Sequence, residues 1–247
     1  MRGPEGAFFL VSTQLLSGTF LFMFLTMLRF RMINRGYFRS TTWVVCPLIA
    51  AVSLALPGNL RSVGLGTAAL MAVYLICIYS QRPALEWLFG IAAAVGAVGL
   101  VVLMGRSLCR SSCGLGITHA LGGLLFMGAV THGMTLGHWY LNQARLPMQP
   151  LLIQTRVMLG VLAATAGLGI ATRPSLVATK ITAGLLAFSA SSYWWTWMLL
   201  MAGTAVLGSM ILSTVKARST QSATGLYYIA IVSALGAQFI LDLLVAS

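Results

Sequence analysis

The stretch LEWLFGIAAAVGAVGLVVLM (85–104) carries a single charge, Glu86, near its start. A helix that crosses a bilayer needs roughly 20 apolar residues, and this run supplies them. Its glycines and alanines would weaken a helix in water, but in lipid they let helices approach closely. The run lacks the strict two-residue alternation of a barrel strand, so a helix is the only spanning form open to it.

Working outward, the rest of the chain repeats this pattern. The first span is expected from about Ala7 to Leu28, and the second from Thr42 to Leu56, stopped by Pro57-Gly58-Asn59. The third runs from Val63 to Ser80, where Gln81-Arg82-Pro83 breaks it, and the fourth from Leu85 to Met104. The fifth, Leu115 to about Tyr140, holds all three histidines, and the sixth follows Pro147 and Pro150, from Leu151 to Ala171. Residues 175–215 are too many for one span and slightly too few for two. An interfacial or tilted helix and then a span from Trp194 to Leu212 is the preferred reading, with Tyr193, Trp194, Trp195 and Trp197 at the membrane interface. The last span is expected from Gly225 to Val245. The fold class is therefore all-α, a polytopic transmembrane helical bundle of about eight spans, with nine as the alternative. All 247 residues form one membrane domain, with no internal repeat evident.

Composition agrees. Hydrophobic residues make up 59% of the chain and charged residues 7%, where a soluble domain carries about 25% charged. Mean hydropathy is +0.93. The formal charge of +12 sits at segment ends, where it meets anionic headgroups, and does not suggest nucleic acid. The run Ala7–Leu28 is too long for a signal-peptide core and lacks a small-residue cleavage site, so it is read as a retained span. The cluster Arg29, Arg31, Arg35 and Arg39 places the first loop in the cytoplasm and the amino terminus outside. The other loops support this orientation only by a narrow margin.

Candidate chemistry begins with GITHALGGLLFMGAVTHGMTLGHWYLN (116–142) and its His119, His132 and His138. An intramembrane histidine is a functional candidate by default. At about 100° per residue no two of the three share a face, so a haem held by two histidines of this chain is not expected. His132 remains open as a ligand of haem b with a Met or a partner subunit, Gly128 and Gly133 leaving room for a flat ring. The other reading is a histidine that hydrogen-bonds a neighbouring helix. No cluster of His, Cys or carboxylates suggests another metal, and no paired acid and base suggests catalysis by this chain alone. Cys46 and Cys77 read as packing residues. Cys109 and Cys113 form a candidate disulfide, and CRSSCG (109–114) is not a covalent-haem motif.

Two polar strings share the expected cytoplasmic side. One is His138, Trp139, Tyr140, Asn142, Gln143 and Arg145; the other is Lys216, Arg218, Ser219, Thr220, Gln221, Ser222 and Thr224. Hydroxyl and amide groups ahead of an apolar helix cap its free N–H groups, and a helix amino end beside Lys and Arg favours an anionic oxygen. The strings therefore suit a lipid phosphate or a quinone head, or else form an ordinary interfacial belt. GHWYLN (137–142), RSTQSATGLYYIA (218–230) and RGYFRS (35–40) resemble segments of a group of bacterial polytopic membrane proteins. That resemblance brings no activity, fold assignment or ligand. It implies only that the polar constellation is more than a belt, and places the chain in a bacterial cytoplasmic membrane.

The expected function is a membrane subunit of an electron-transfer assembly that contacts quinone, haem or lipid. His132, His138, Trp139, Tyr140, Asn142, Arg218, Thr220 and Gln221 would line its site, with membrane lipids and other membrane subunits as partners. A small-molecule or lipid transporter and a scaffold subunit are the alternatives.

Overall fold

The structure is a computed structural model that describes residues 3–30, 32–108, 113–143, 146–177 and 189–246. Among them are nine helices and no strand: α1 (Gly3–Arg29), α2 (Arg35–Ala55), α3 (Gly58–Ser80), α4 (Pro83–Leu108), α5 (Cys113–Asn142), α6 (Gln149–Ala171), α7 (Arg173–Val177), α8 (Ala190–Lys216) and α9 (Thr220–Ala246). All except α7 are long and apolar enough to cross a membrane. The chain is a polytopic transmembrane bundle of eight spans. Val95, Leu199 and Val232, all more than 60% exposed, belong to its lipid-facing surface.

Several helices reach further than their apolar runs suggest. The expected start of the second span at Thr42 is too late. The Asn34 carboxamide accepts a hydrogen bond from the Gly36 N–H at 2.9 Å and starts α2 at Arg35, so RGYFRS is its first two turns. That correction brings Tyr37 into the interior. Likewise Thr220 to Thr224 form the first turn of α9 rather than a linker ahead of it. Ser189 caps α8 by accepting from the Ser192 N–H, so the serine run opens a span. The awkward stretch resolves into α7 and α8. Residues 178–188, with Lys180, lie outside the described residues, as do Arg31, Cys109 and Arg145. Of the aromatic cluster, Trp195 is exposed, but Trp194 and Trp197 are buried and serve packing. The Trp197 ring occupies the space beside Gly169 of α6.

The helices form two units with the same wiring. In the first, α1 packs on α2 and α4, and α3 joins α2 to α4. In the second, α5 packs on α6 and α9, and α8 joins α6 to α9. The units meet along α1 and α5, flanked by α4 against α5 and α9 against α1. Each unit has four spans, so corresponding helices of the two units run in the same direction. Detail follows the same rule. The corner before α4 turns through Gln81 at φ 54°, and the corner before α9 through Arg218 at φ 60°. The same sequence distance separates Gln81 from Arg218 and Gly90 from Tyr227. Phe24 of α1 fills the space beside Gly90 of α4, while Tyr227 of α9 fills the space beside Gly133 of α5. In each unit a large ring thus fills the space beside a glycine of the neighbouring helix.

At the seam, Gly18 of α1 meets Gly128 of α5, each at the same place along its helix. A Cβ on Gly128 would lie 2.5 Å from the Gly18 carbonyl carbon. Lipid-phase association relies on such close packing because lipid offers no hydrophobic drive between helices.

Arg29, Arg35, Arg39, Arg82, Lys216 and Arg218 all lie at one end of the bundle, called the basic end below. Arg156, absent from the balance of loop charges above, is an exposed side chain about 10 Å along α6 from that end, within reach of the interface for a long side chain. At the same end Arg35 donates to Glu86 Oε1 at 3.0 Å.

Leucine at Gly18 or Gly128 is expected to cost at least about 3 kcal/mol, because backbone must move to admit it. Leucine at Gly66, which has open space around it, should cost under about 1 kcal/mol. Thermal unfolding of the purified variants in detergent checks the contrast.

Candidate functional site

α5 is the axis of the polar interior because it touches both units. His132 projects from it toward α1 and α2. Its Nε2 is 2.8 Å from the Thr26 hydroxyl and its Nδ1 2.9 Å from the Tyr37 hydroxyl. Tyr37 is also 3.1 Å from the Thr135 hydroxyl, which donates to the His132 carbonyl. The ring is fully buried and stacks on Phe22. A neutral imidazole has one N–H and one lone pair, and two hydroxyls satisfy both.

This arrangement leaves His132 no nitrogen for iron. Nor is there space for a porphyrin: Gly128 is closed by the Gly18 backbone and Gly133 by the Tyr227 ring. The residues around His132 do not fit a haem, and the room expected beside those glycines is taken by helix packing. His119 faces elsewhere, with Nε2 2.9 Å from the Thr172 hydroxyl.

On the other side of Tyr37 lies a groove of about 350 Å³ between α1, α2, α5 and α9. Leu15, Leu16, Val45 and Met134 form apolar wall, and Val44 and Leu48, both near half-exposed, open it sideways toward lipid. His138, Trp139 and Tyr228 close the end nearer the basic cluster. Tyr228 is 3.3 Å from His138 Nδ1, and Trp139 donates to Gln143 Oε1 at 2.7 Å. Thr131 is also a lining residue, with its hydroxyl beneath the groove surface. It is buried and has no hydrogen-bond partner, a costly state in an apolar setting.

The predicted residues thus divide. His138 and Trp139 share the groove, and His132 stands behind it through Tyr37. Tyr140 turns away and donates to the Pro147 carbonyl at 2.6 Å. Arg218 lines a separate recess of about 630 Å³ with Lys216, Pro147 and Gln149, where an anionic headgroup would find two cations. Thr220 is half-buried and its carbonyl accepts from the Thr224 hydroxyl. Asn142 and Gln221 are exposed. The two strings do approach, since Thr224 lies against Gly137, but they do not form one pocket.

Sequence reading missed Tyr37, Thr131 and Thr135. Tyr37 was hidden by the late start given to the second span, and threonine is too common in membrane helices to signal anything alone. It also missed Asp242, which is fully buried inside the bundle and accepts from Gln238 at 2.8 Å and Gln14 at 3.3 Å.

Phenylalanine at Tyr37 leaves His132 Nδ1 buried without a partner, and should cost about 1–3 kcal/mol. Valine at Thr26 should cost a similar amount through Nε2. Because both act on one ring, the double variant is expected to cost less than the sum, and a double-mutant cycle in thermal unfolding measures the difference. No family model matches the chain, and no curated protein or solved structure matches it either, so its functional reading rests on its own residues.

Proposed function

We propose that this protein is a membrane subunit of a respiratory-type electron-transfer assembly, and that it takes a quinone-type ring in the groove between α1, α2, α5 and α9. The observation that carries this reading is the unpartnered Thr131 hydroxyl, buried just beneath the wall of a groove whose open surface is mainly apolar. A ring carbonyl would accept from it once the threonine side chain turns toward the groove. An isoprenoid tail would leave along Val44 and Leu48 into the bilayer. Trp139 and His138 would meet the ring edge, and the Tyr37–His132–Thr26 chain would hold the wall in place. Ligand sites of this kind are largely apolar with a few placed polar groups. Haem has no part in the proposal.

The chain would reside in a bacterial cytoplasmic membrane with its basic end in the cytoplasm and its amino terminus outside, as the positive-inside rule requires. Other membrane subunits would be its partners. Arg218 and Lys216 would hold an anionic lipid head at the same end.

A transporter is the second reading, favoured by the two like-wired units. Parallel repeats about an axis along the membrane normal are a known transporter plan, with sites at the repeat interface. Uptake of a lipid-soluble substrate into proteoliposomes separates the two.

Equilibrium dialysis of a short-chain benzoquinone against the detergent-solubilised protein tests the groove. Saturable binding is expected, weakened roughly three- to tenfold by Thr131→Val, the worth of one neutral hydrogen bond. Asn142→Ala should leave it unchanged. Absence of saturable binding, or equal affinity in Thr131→Val, would sink the proposal.

A further inference from the structure

Toward the opposite end of the seam, Asp242 of α9, Gln14 of α1 and Gln238 of α9 converge over Gly123 of α5. Both glutamine amide nitrogens crowd the position a Cβ on Gly123 would take. Asp242, Gln14 and Gln238 are each at most 1% exposed. Asp242 is the only aspartate in the chain. It makes no ion pair among the described residues. Charged and titratable groups on neighbouring elements at this end are Glu5 on α1, Arg106 on α4, His119 on α5, Arg173 on α7 and Tyr193 on α8. Arg173 lies over the Trp194 and Trp195 rings, His119 bonds Thr172, and Glu5 is exposed.

The hydrogen bonding is lopsided. Both glutamines donate to Oδ1, at 2.8 Å from Gln238 and 3.3 Å from Gln14. Oδ2 has no partner, and neither does the side-chain oxygen of either glutamine. An ionised carboxylate has two equivalent acceptors and gains from donors on both. A protonated carboxyl has one carbonyl oxygen, which accepts, and one hydroxyl, which donates. Two donors on Oδ1 and none on Oδ2 match the second species. An uncompensated carboxylate buried this way would also be very costly, whereas its neutral form costs only what the missing bond costs.

We propose that Oδ2 of Asp242 is a proton-binding site within the membrane domain, its carboxyl held through Oδ1 by Gln14 and Gln238. Binding adds one proton to the carboxylate, and release returns it. The group stands about 6 Å from the end of α9, roughly four residues of helix rise, so exchange needs to reach only a turn inward. The site is separate from the groove, and its test does not depend on any ligand there.

Infrared spectroscopy of the whole protein in lipid nanodiscs provides the test. The sole aspartate can be labelled with ¹³C at its side-chain carboxyl, so assignment requires no variant. At neutral pH a protonated-carboxyl carbonyl band is expected that moves to lower frequency on labelling. It should disappear in Asp242→Asn, persist in Glu86→Gln, and move to higher frequency in Gln238→Leu, where the carbonyl loses a donor. A label-sensitive ionised-carboxylate band at neutral pH, with nothing in the protonated region, would overturn the proposal.

Discussion

The close approach of α1 and α5 at Gly18 and Gly128 is the constraint on which the rest depends. Two helix backbones can touch only where neither carries a side chain, and a Cβ on either glycine would collide with the other's main chain. In lipid this contact has no hydrophobic term to replace it. It fixes the seam between two four-helix units, and with it the distance from α5 to everything α1 and its neighbours carry. Phe24 beside Gly90 and Tyr227 beside Gly133 then set the flanking helices at corresponding places on the two sides.

Polar groups follow from that seam. Below the crossing, toward the basic end, His132 reaches across from α5 and finds hydroxyls from α1 and α2 at both nitrogens. Above it, Gln14 and Asp242 meet over Gly123, where the lack of a side chain leaves room for two amides. Each cluster draws on both units, so neither exists in a half molecule. The two differ in saturation. Around His132 both ring nitrogens have partners, the mark of a rigid positioning group. Around Asp242 three oxygens have none, an open state that costs free energy in an apolar interior.

Much of the architecture was legible. The apolar runs identified eight spans because length and hydropathy are properties of the chain alone. The helix ends were read less well, since α2 and α9 begin in polar residues that capping and helix propensity recruit. Tyr37 went unnoticed for that reason. Of the two polar strings, Gly137 lies against Thr224, and Tyr228 beyond the second string is 3.3 Å from His138 Nδ1. Trp139 and Tyr140 nevertheless point in different directions, which a list of neighbouring polar residues could not tell. The shared wiring of the two units was not legible, because it is a property of which helices touch and not of residue order.

By itself, then, the sequence determined the solvent of this protein and the number of crossings. These depend on sums over residues, and sums survive ignorance of what packs on what. Only the tertiary structure decided which of Thr131, His132 and Asp242 is satisfied and which is open, because a hydrogen bond needs a partner from another helix at about 3 Å. That partner is chosen by helix packing, and helix packing here is chosen by two glycines.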